Sequence, residues 1–258
     1  MIKLENNFLP LISFNNKDNI KIQRISSGFL LIKNNNIFLL GALHTFIENI
    51  NSDNEKFKTK YIGIELFADI KNEKVVIFPF EQKQINYFSS FNLITKNEHL
   101  NDLFLVKVPK KYIYKLRNTI VKNYIDKSQS IEHITIFNEI KEVNYRDKYY
   151  LAGNIKPSLN YDKKTINQFS SSADYLKISK IKKVLNMKFV NYIENNELIF
   201  NLNTNCKNVD EYQGCSGAPI VNQDNELVSI AIRVDCKNNQ IIGINLKRLE
   251  VAIDIITK

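Results

Sequence analysis

The residues best suited to chemistry lie in one short segment, Glu211–Val221, which reads Glu-Tyr-Gln-Gly-Cys-Ser-Gly-Ala-Pro-Ile-Val. Gly214 and Gly217 bracket Ser216, although the whole chain has only 7 glycines in 258 residues. Such closely spaced glycines predict a backbone that turns tightly around one side chain. A serine presented in this way can act as a nucleophile if a base takes its proton and backbone N–H groups stabilise the oxyanion. We predict that Ser216 is this nucleophile and that residues Gly214, Cys215 and Ser216 form the oxyanion hole; the alternative is a glycine-rich hairpin.

The segment resembles the nucleophile loop of the chymotrypsin- and trypsin-like serine proteases, in which Gly-Asp-Ser-Gly-Gly-Pro or Gly-Asn-Ser-Gly-Gly-Pro surrounds the reactive serine. The pattern is most similar to the bacterial trypsin-like and Deg/HtrA protease domains, without a PDZ domain. This family implies a histidine far upstream of Ser216 and an aspartate between the two. The resemblance covers almost the whole chain, and its specific evidence is three motifs in that order.

The histidine is selected from only three in the chain, His44, His99 and His133. His44 ends the apolar run Ile37–Leu43 and is similar in position to the family's histidine, which also follows a strand. Ser27–Ile32 resembles the strand that pairs with it, and asparagines 34–36 are the predicted turn. The resemblance implies that His44 is the base; alternatively it is a buried structural histidine. His99 and His133 are expected to be buried or surface histidines.

The aspartate is predicted to be Asp102, which precedes the apolar run Leu103–Val108. This segment resembles the strand that follows the family's catalytic aspartate. An aspartate at a strand start is otherwise commonly a solvated turn residue, and that alternative remains open. The resemblance implies that Asp102 orients His44 and stabilises its protonated ring while Ser216 attacks a peptide carbonyl.

Two residues of the loop depart from the family pattern. Cys215 stands where trypsins carry the aspartate that pairs with a newly formed N-terminus, so that ion pair cannot form here. Cys215 is also an alternative nucleophile, but we favour Ser216 because the nucleophile of the family directly precedes the glycine. Ala218 replaces a glycine, a small change that we expect to be tolerated.

The substrate-binding residues are expected to be Asp210, Ile232 and Arg233. Asp210 lies six residues before Ser216, where trypsins carry the aspartate at the floor of the primary pocket. A carboxylate there would bind a substrate Arg or Lys. Ile232 and Arg233 belong to the predicted wall strand, from which Arg233 could neutralise Asp210. The alternative is that Asp210 is a surface loop residue.

The apolar runs predict an all-β protein. Short strands separated by Asn-, Asp- and Lys-rich turns are typical of β-barrels, and the resemblance implies two six-stranded antiparallel barrels with a helical linker and a C-terminal helix. We predict an N-terminal barrel at 1–109 with His44 and Asp102, a linker at 110–140, a second barrel at 141–245 with Ser216, and a helix at 246–258. Residues 160–186, polar and rich in serine, are expected to form an insertion loop.

Composition limits the other classes of function. Three cysteines without pair or metal spacing predict reduced thiols, and hence an intracellular protein. No metal and no cofactor are expected. The N-terminus has no apolar core like that of a signal peptide, and no later apolar run is long enough to cross a membrane. A soluble cytoplasmic protein is therefore expected. The net charge of +9 permits weak binding to polyanions, but the lysines are dispersed, so nucleic acid is not the expected partner.

The expected activity is that of a serine endopeptidase with protein or peptide substrates, switched on by a protein partner in a bacterial defence or stress pathway. Retention of all three triad residue types favours an enzyme. The alternative is a catalytically silent protease fold that serves as a binding module.

Overall fold

The computed structural model describes residues 4–16, 23–48, 56–57, 59–69, 74–87, 102–113, 134–155, 180–193 and 197–258. The described part is built almost entirely of β-strands. In the N-terminal half the strands are β1 (Leu9–Phe14), β2 (Arg24–Lys33), β3 (Asn36–Ala42), β4 (Ile47–Glu48), β5 (Lys56–Phe57), β6 (Tyr61–Asp69), β7 (Lys74–Glu81), β8 (Ile85–Tyr87), β9 (Leu103–Lys107) and β10 (Ile136–Phe137).

The C-terminal half contains six further strands and one helix: β11 (Lys148–Ile155), β12 (Lys180–Ile193), β13 (Glu197–Asn201), β14 (Pro219–Asn222), β15 (Leu227–Asp235), β16 (Gln240–Asn245) and α1 (Leu246–Ile256). Short 3₁₀ turns at Leu4–Asn6, Leu43–Thr45, Gln82–Gln84 and Val209–Tyr212 connect some of these elements.

Two large sheets organise the chain. The C-terminal strands close into a barrel in the order β11-β12-β13-β16-β15-β14. The N-terminal strands follow the order β7-β6-β1-β2-β3-β9-β8, with β10 added in parallel to β2. The described strands of this sheet form an open path, whereas the second barrel is closed. The predicted all-β class with two barrel-type sheets and a C-terminal helix is confirmed; of the two six-stranded barrels expected, the C-terminal one is closed with six strands and the described N-terminal strands form a half-barrel.

The hairpin between β2 and β3 shows how local sequence sets this architecture. Lys33 pairs with Asn36, which leaves a two-residue turn at Asn34 and Asn35. Both turn residues have positive φ, 48° and 59°. Two left-handed residues match the twist of a hairpin, and asparagine tolerates this region better than most residues.

Three apolar clusters hold the fold together. One fills the N-terminal sheet and one fills the closed barrel. The third joins Phe29 and Leu31 of β2 to Ile230 of β15 and Leu249 of α1. Strands β2 and β3 therefore bury residues on both faces, one toward their own sheet and one toward the second barrel. This shared core fixes the relative position of the two sheets.

Helix α1 begins where the side chain of Asn245 accepts hydrogen bonds from the backbone N–H groups of Lys247 and Arg248, a common way to satisfy the free donors of a first helical turn. Its outer side is tied to β2, because Lys33 forms ion pairs with Glu250 at 2.7 Å and Asp254 at 3.2 Å. Among the described helices, none is long and apolar enough to cross a membrane.

Two segments of the described chain form strands that were not predicted from the sequence. Leu9–Phe14 is β1, an interior strand of its sheet, because β2 and β6 pair with its two edges. Residues 180–186, predicted as loop, belong to β12, in which the exposed Lys183 adjoins the buried Val184. Of the predicted linker, residues 110–113 are helical and 114–133 lie outside the described residues, as do most of the insertion loop, His99 and His133.

Candidate active site

The register of two strands brings His44 and Asp102 together. Ala42, the last residue of β3, pairs with Leu103, the first residue of β9. His44 lies in the 3₁₀ turn that follows β3, and Asp102 directly precedes β9. Because the strands are antiparallel, the end of one and the start of the other meet at the same edge of the sheet.

The Asp102 carboxylate binds His44 at two points. Its Oδ2 lies 2.7 Å from His44 Nδ1, and its Oδ1 accepts the backbone N–H of His44 at 2.7 Å. A carboxylate can only accept hydrogen bonds, so this geometry places a proton on Nδ1 and leaves Nε2 of a neutral ring as an acceptor. An imidazole held in this tautomer is suited to take a proton from a nucleophile.

The two side chains differ in exposure. The Asp102 side chain is 15% exposed, whereas that of His44 is 37% exposed. The carboxylate is thus largely screened from water, while the imidazole reaches the surface. A substrate can approach the ring without any rearrangement of the aspartate.

Two left-handed glycines shape the loop that carries Ser216. Gly214 has φ of 102° and Gly217 has φ of 89°, a backbone region that residues other than glycine rarely adopt. A Cβ on Gly217 would also lie 2.0 Å from the backbone oxygen of Ser27. The glycine spacing noted in the sequence therefore corresponds to a tight turn packed against β2.

The backbone N–H groups of this loop are not equivalent. The N–H of Cys215 donates to the carbonyl of Tyr212 at 2.9 Å. The N–H groups of Gly214 and Ser216 donate no hydrogen bond to any part of the chain that the structure describes. Two donors are thus open for an oxyanion. The expected contribution of Cys215 to the oxyanion hole does not fit, because its N–H is already engaged.

The Ser216 hydroxyl points along β15. Its Oγ donates to the carbonyl of Ile232 at 3.1 Å, and its hydrogen bond therefore goes to this strand rather than to His44. Neighbouring backbone bonds, from Gly217 N–H to Ala231 O and from Ala231 N–H to Ala218 O, fix the loop to the same strand.

The Cys215 side chain is buried in the core of the C-terminal barrel. A thiol acts as a nucleophile through its thiolate, which burial among apolar groups disfavours. The location therefore favours Ser216 over Cys215 as the reactive residue of this loop.

The residues predicted to bind substrate are not gathered in one pocket. Asp210 lies on the exposed 3₁₀ turn Val209–Tyr212, and its carboxylate accepts hydrogen bonds from the side-chain amides of Gln213 and Asn208. Ile232 is buried and contributes its carbonyl to Ser216. Exposure of Asp210 does not match the expected pocket floor and agrees with the alternative of a surface loop residue.

Arg233 binds Glu197 rather than Asp210. Its guanidinium donates to Glu197 Oε1 at 3.0 Å and to Oε2 at 2.6 Å, in a two-point contact. The Glu197 side chain is only 3% exposed and that of Arg233 is 48% exposed. The suggestion that Arg233 neutralises Asp210 is therefore wrong. Arg233 and Val209 line an open pocket of about 650 Å³ next to β15.

Cys206 and Cys236 form a disulfide, with their Cα atoms 4.9 Å apart. The expectation of three reduced cysteines is therefore wrong for these two. Thirty residues separate them in sequence, and their spacing carries no recognisable pairing pattern. The bond ties the segment before the nucleophile loop to the end of β15, and it removes the cysteine argument for a cytoplasmic location.

Sequence reasoning assigned no role to two polar residues near the site. Glu197 is a buried carboxylate at the start of β13, a position that apolar residues usually fill. The only sign of it in the sequence was a charged residue at the start of an apolar run. Ser27 was noted only as part of a strand motif. Its hydroxyl donates to the Gly214 carbonyl at 2.8 Å, and its N–H donates to the Ser216 carbonyl at 2.9 Å.

Of the comparisons with known proteins, the one with solved structures finds matches. No protein-family model and no curated protein matches the sequence. Among solved structures, human heparin binding protein shares 9% identity, with a TM-score of 0.50 and coverage of 95% of this chain and 89% of that protein. A Glu endopeptidase shares 12% identity, with a TM-score of 0.49 and coverage of 97% and 92%.

The serine endoprotease from Yersinia pestis shares 14% identity over 96% of this chain, with a TM-score of 0.48. The chain spans 62% of the length of that endoprotease. Identities this low concern the fold alone, and the strand topology described above supports the same conclusion. The chain has the double-barrel fold of the chymotrypsin-like serine proteases.

Proposed function

We propose that this protein is a serine endopeptidase that cleaves protein or peptide substrates through a Ser216–His44–Asp102 triad. The observation that carries the proposal is the two-point contact between Asp102 and His44, with both distances at 2.7 Å. A solvated aspartate in a turn would not be expected to bind both the ring and the backbone N–H of His44. A carboxylate at Nδ1 is what a histidine that acts as general base requires.

The proposed reaction begins when the Ser216 hydroxyl turns from the Ile232 carbonyl toward His44 Nε2. Ser216 Oγ then attacks the substrate carbonyl carbon, and its proton passes to Nε2. The carbonyl oxygen becomes an oxyanion, for which the N–H groups of Gly214 and Ser216 are the available donors. Asp102 stabilises the protonated imidazole without taking its proton.

Collapse of the tetrahedral intermediate breaks the C–N bond. His44 gives its proton to the departing amine, and an ester between Ser216 and the acyl group remains. Water then attacks this ester while His44 accepts a proton from the water, and a second collapse releases the carboxylic acid product. The hydroxyl of Ser216 is restored, so the cycle needs no cofactor.

A fluorophosphonate probe tests the proposal, because it phosphonylates only an activated serine. The experiment compares the wild-type protein with Ser216→Ala, His44→Ala and Cys215→Ala, and the adduct is located by mass spectrometry. We expect labelling of Ser216 that survives in Cys215→Ala and is lost in the other two. Labelling that persists in Ser216→Ala, or that Cys215→Ala removes, would contradict the proposed nucleophile.

A preference for Arg or Lys before the cleaved bond is the finer part of the proposal. It rests on the spacing of six residues between Asp210 and Ser216, and not on the location of Asp210, which lies on an exposed turn. A substrate would have to replace the amides of Gln213 and Asn208 there. Peptides that end in Arg, Lys, Leu or Glu should separate accordingly, with Asp210→Asn reducing kcat/KM for Arg by about tenfold or more.

The exposed Asp224 offers the matched control for that experiment, as Asp224→Asn also removes one surface carboxylate. It should leave the ranking of the peptides unchanged. Equal rates for the Arg and Leu peptides would refute the role of Asp210 while leaving the endopeptidase proposal intact.

One observation favours a second candidate, a catalytically silent fold that binds a protein. The Ser216 hydroxyl is bonded to Ile232 rather than to His44. In the endopeptidase proposal, a substrate or an activating protein partner turns it. If the protein neither reacts with the fluorophosphonate nor cleaves any of the peptides, the silent binding module is the better explanation.

A further inference from the structure

The loop that carries Ser216 is held at two adjacent points by one residue of the other sheet. Ser27, on β2, donates its backbone N–H to the Ser216 carbonyl at 2.9 Å. Its hydroxyl donates to the Gly214 carbonyl at 2.8 Å. These two carbonyls lie on either side of Cys215, so Ser27 spans the turn in which the open N–H groups lie.

The direction of the Ser27 hydroxyl is settled by a third contact. The backbone N–H of Asn154, on β11, lies 2.7 Å from Ser27 Oγ. A backbone N–H can only donate, so the oxygen must act as acceptor there and its single proton is directed to Gly214. Ser27 is fully buried, and a hydrogen bond out of reach of water is costly to lose.

The Gly214 carbonyl belongs to the peptide that links Gly214 to Cys215. Fixing this carbonyl on the Ser27 side restricts rotation of that peptide plane. It also restricts Gly214, whose φ of 102° is one of several conformations that a glycine can adopt at little cost. The Gly214 N–H lies on the preceding peptide, so the restraint reaches it through the two backbone bonds of Gly214.

Cys215 cannot supply this restraint through charge. Its side chain is uncharged as a thiol and lies in the apolar core of the barrel. Close packing provides part of the support, since a Cβ on Gly153 would lie 3.1 Å from the Cys215 Cα and 3.2 Å from Ser27 Oγ. The directional part comes from two hydrogen bonds at opposite edges of the Gly214–Cys215 peptide: Ser27 Oγ donates to the peptide carbonyl, and the peptide N–H donates to Tyr212 O.

We propose that Ser27 is a positioning residue for the oxyanion hole: its hydroxyl fixes the Gly214–Cys215 peptide and thereby limits rotation at Gly214, which keeps the Gly214 N–H of the preceding peptide directed at the reacting carbonyl. The inference rests on the proposed serine endopeptidase function and deepens it. It assigns the state of the hole to the contact between the two sheets rather than to the nucleophile loop alone. Ser27 touches no reacting atom and acts through Gly214.

Ser27→Ala removes the hydroxyl and retains the backbone bond to Ser216. Ser26→Ala is a matched control, because Ser26 is the adjacent residue, is also fully buried, and its hydroxyl has no hydrogen-bond partner within the described residues. Each variant loses one oxygen atom from the same strand. Only Ser27→Ala loses a bond to the nucleophile loop.

The first readout is the kinetics of fluorophosphonate labelling, whose phosphoryl oxygen occupies the oxyanion hole. Removal of a hole donor costs roughly 10²–10³-fold in rate, and loss of its support should cost less. We expect the maximal labelling rate of Ser27→Ala to fall by about 10- to 100-fold, with the probe concentration at half-maximal rate unchanged. Ser26→Ala should stay within about twofold of wild type. Ser27→Ala should melt at a lower temperature than Ser26→Ala, because the Asn154 N–H and the Gly214 carbonyl lose a buried partner, so labelling is compared well below both melting temperatures.

The second readout is hydrogen exchange across residues 211–218, which does not depend on activity. Ser27→Ala should increase exchange there, with little change in Ser26→Ala. Unchanged exchange, or equal effects of the two variants on labelling, would overturn the role of Ser27. If the wild-type protein does not label at all, the endopeptidase proposal fails, and hydrogen exchange still decides whether Ser27 holds the loop.

Discussion

Replacement of Asp102 by asparagine should reduce catalysis strongly while leaving the fold intact. The reason lies in the two donors that face the carboxylate, the ring Nδ1–H and the backbone N–H of His44, each at 2.7 Å. An asparagine has one acceptor oxygen and one NH₂ group in the same space. The backbone N–H cannot change its role, so the amide oxygen must face it.

The NH₂ group of the asparagine then faces Nδ1 and can only donate. Nδ1 must become the acceptor, and the ring proton moves to Nε2, where the proton of Ser216 would have to go. A ring in this tautomer cannot act as the base. The expected loss is about 10⁴-fold in kcat, the size found when a triad aspartate is replaced in this way.

The assay measures the rate of fluorophosphonate labelling of Ser216 in the wild-type protein, Asp102→Asn and the surface control Asp224→Asn. Thermal melting is recorded in parallel, and we expect a stability loss of only about 1–2 kcal/mol for Asp102→Asn. Labelling of Asp102→Asn within tenfold of the wild-type rate would refute the tautomer argument. So would an equal loss in Asp224→Asn.

Three further changes test contacts that stabilise the fold: a tight turn, a buried hydroxyl and an ion pair of α1. Gly217→Ala should destabilise the protein by more than about 2 kcal/mol in urea unfolding, because its φ is 89° and its Cβ would lie 2.0 Å from a backbone oxygen of β2. Tyr149→Phe should cost about 1–2 kcal/mol, since the buried hydroxyl both accepts from and donates to the backbone of Asn144. This cost should be constant from pH 6 to 9, because burial raises the pKa of Tyr149 to about 12 despite the opposing hydrogen bond to Asn144. Glu250→Gln should cost about 1 kcal/mol at pH 7 through loss of the contact with Lys33.

The Glu250 effect carries its own pH test. Burial favours a higher pKa for Glu250, but hydrogen bonds from Lys247 and Lys33 outweigh it and lower the pKa below the ordinary value of 4.5. A carboxyl with a lowered pKa in the fold stabilises the protein above its unfolded pKa and loses this contribution as the pH falls through the folded pKa. The difference between wild type and Glu250→Gln should shrink below pH 4.5; a constant difference down to pH 3 would contradict the assignment.

The parts of the site that the sequence predicted are those encoded locally. Ser216 could be singled out because a tight turn in left-handed backbone needs glycine, and glycine is rare in this chain. The turn between β2 and β3 was predictable for the same reason, as consecutive asparagines tolerate positive φ. His44 and Asp102 were recognisable because each adjoins an apolar run that reads as a strand.

Other elements were misjudged because their environment decided them. Residues 180–186 contain three lysines and an asparagine, but they form a strand because β11 pairs with them along its length and Val184 is buried. The contacts of Arg233 followed the same logic. Asp210 is closer than Glu197 to Arg233 in sequence. The barrel nevertheless brings Glu197 of β13 to the Arg233 guanidinium.

By itself, the sequence determined the all-β class, the two successive barrel-type sheets, the C-terminal helix and the residue types from which a triad could be built. Only the tertiary structure decided the pairing of Ala42 with Leu103, which sets His44 against Asp102, and the disulfide between Cys206 and Cys236. It also decided that Ser27, 187 residues from Gly214, holds the nucleophile loop. The physical reason is range: turns and strand periodicity depend on neighbouring residues, whereas hydrogen bonds between distant strands depend on registers that the packed cores select.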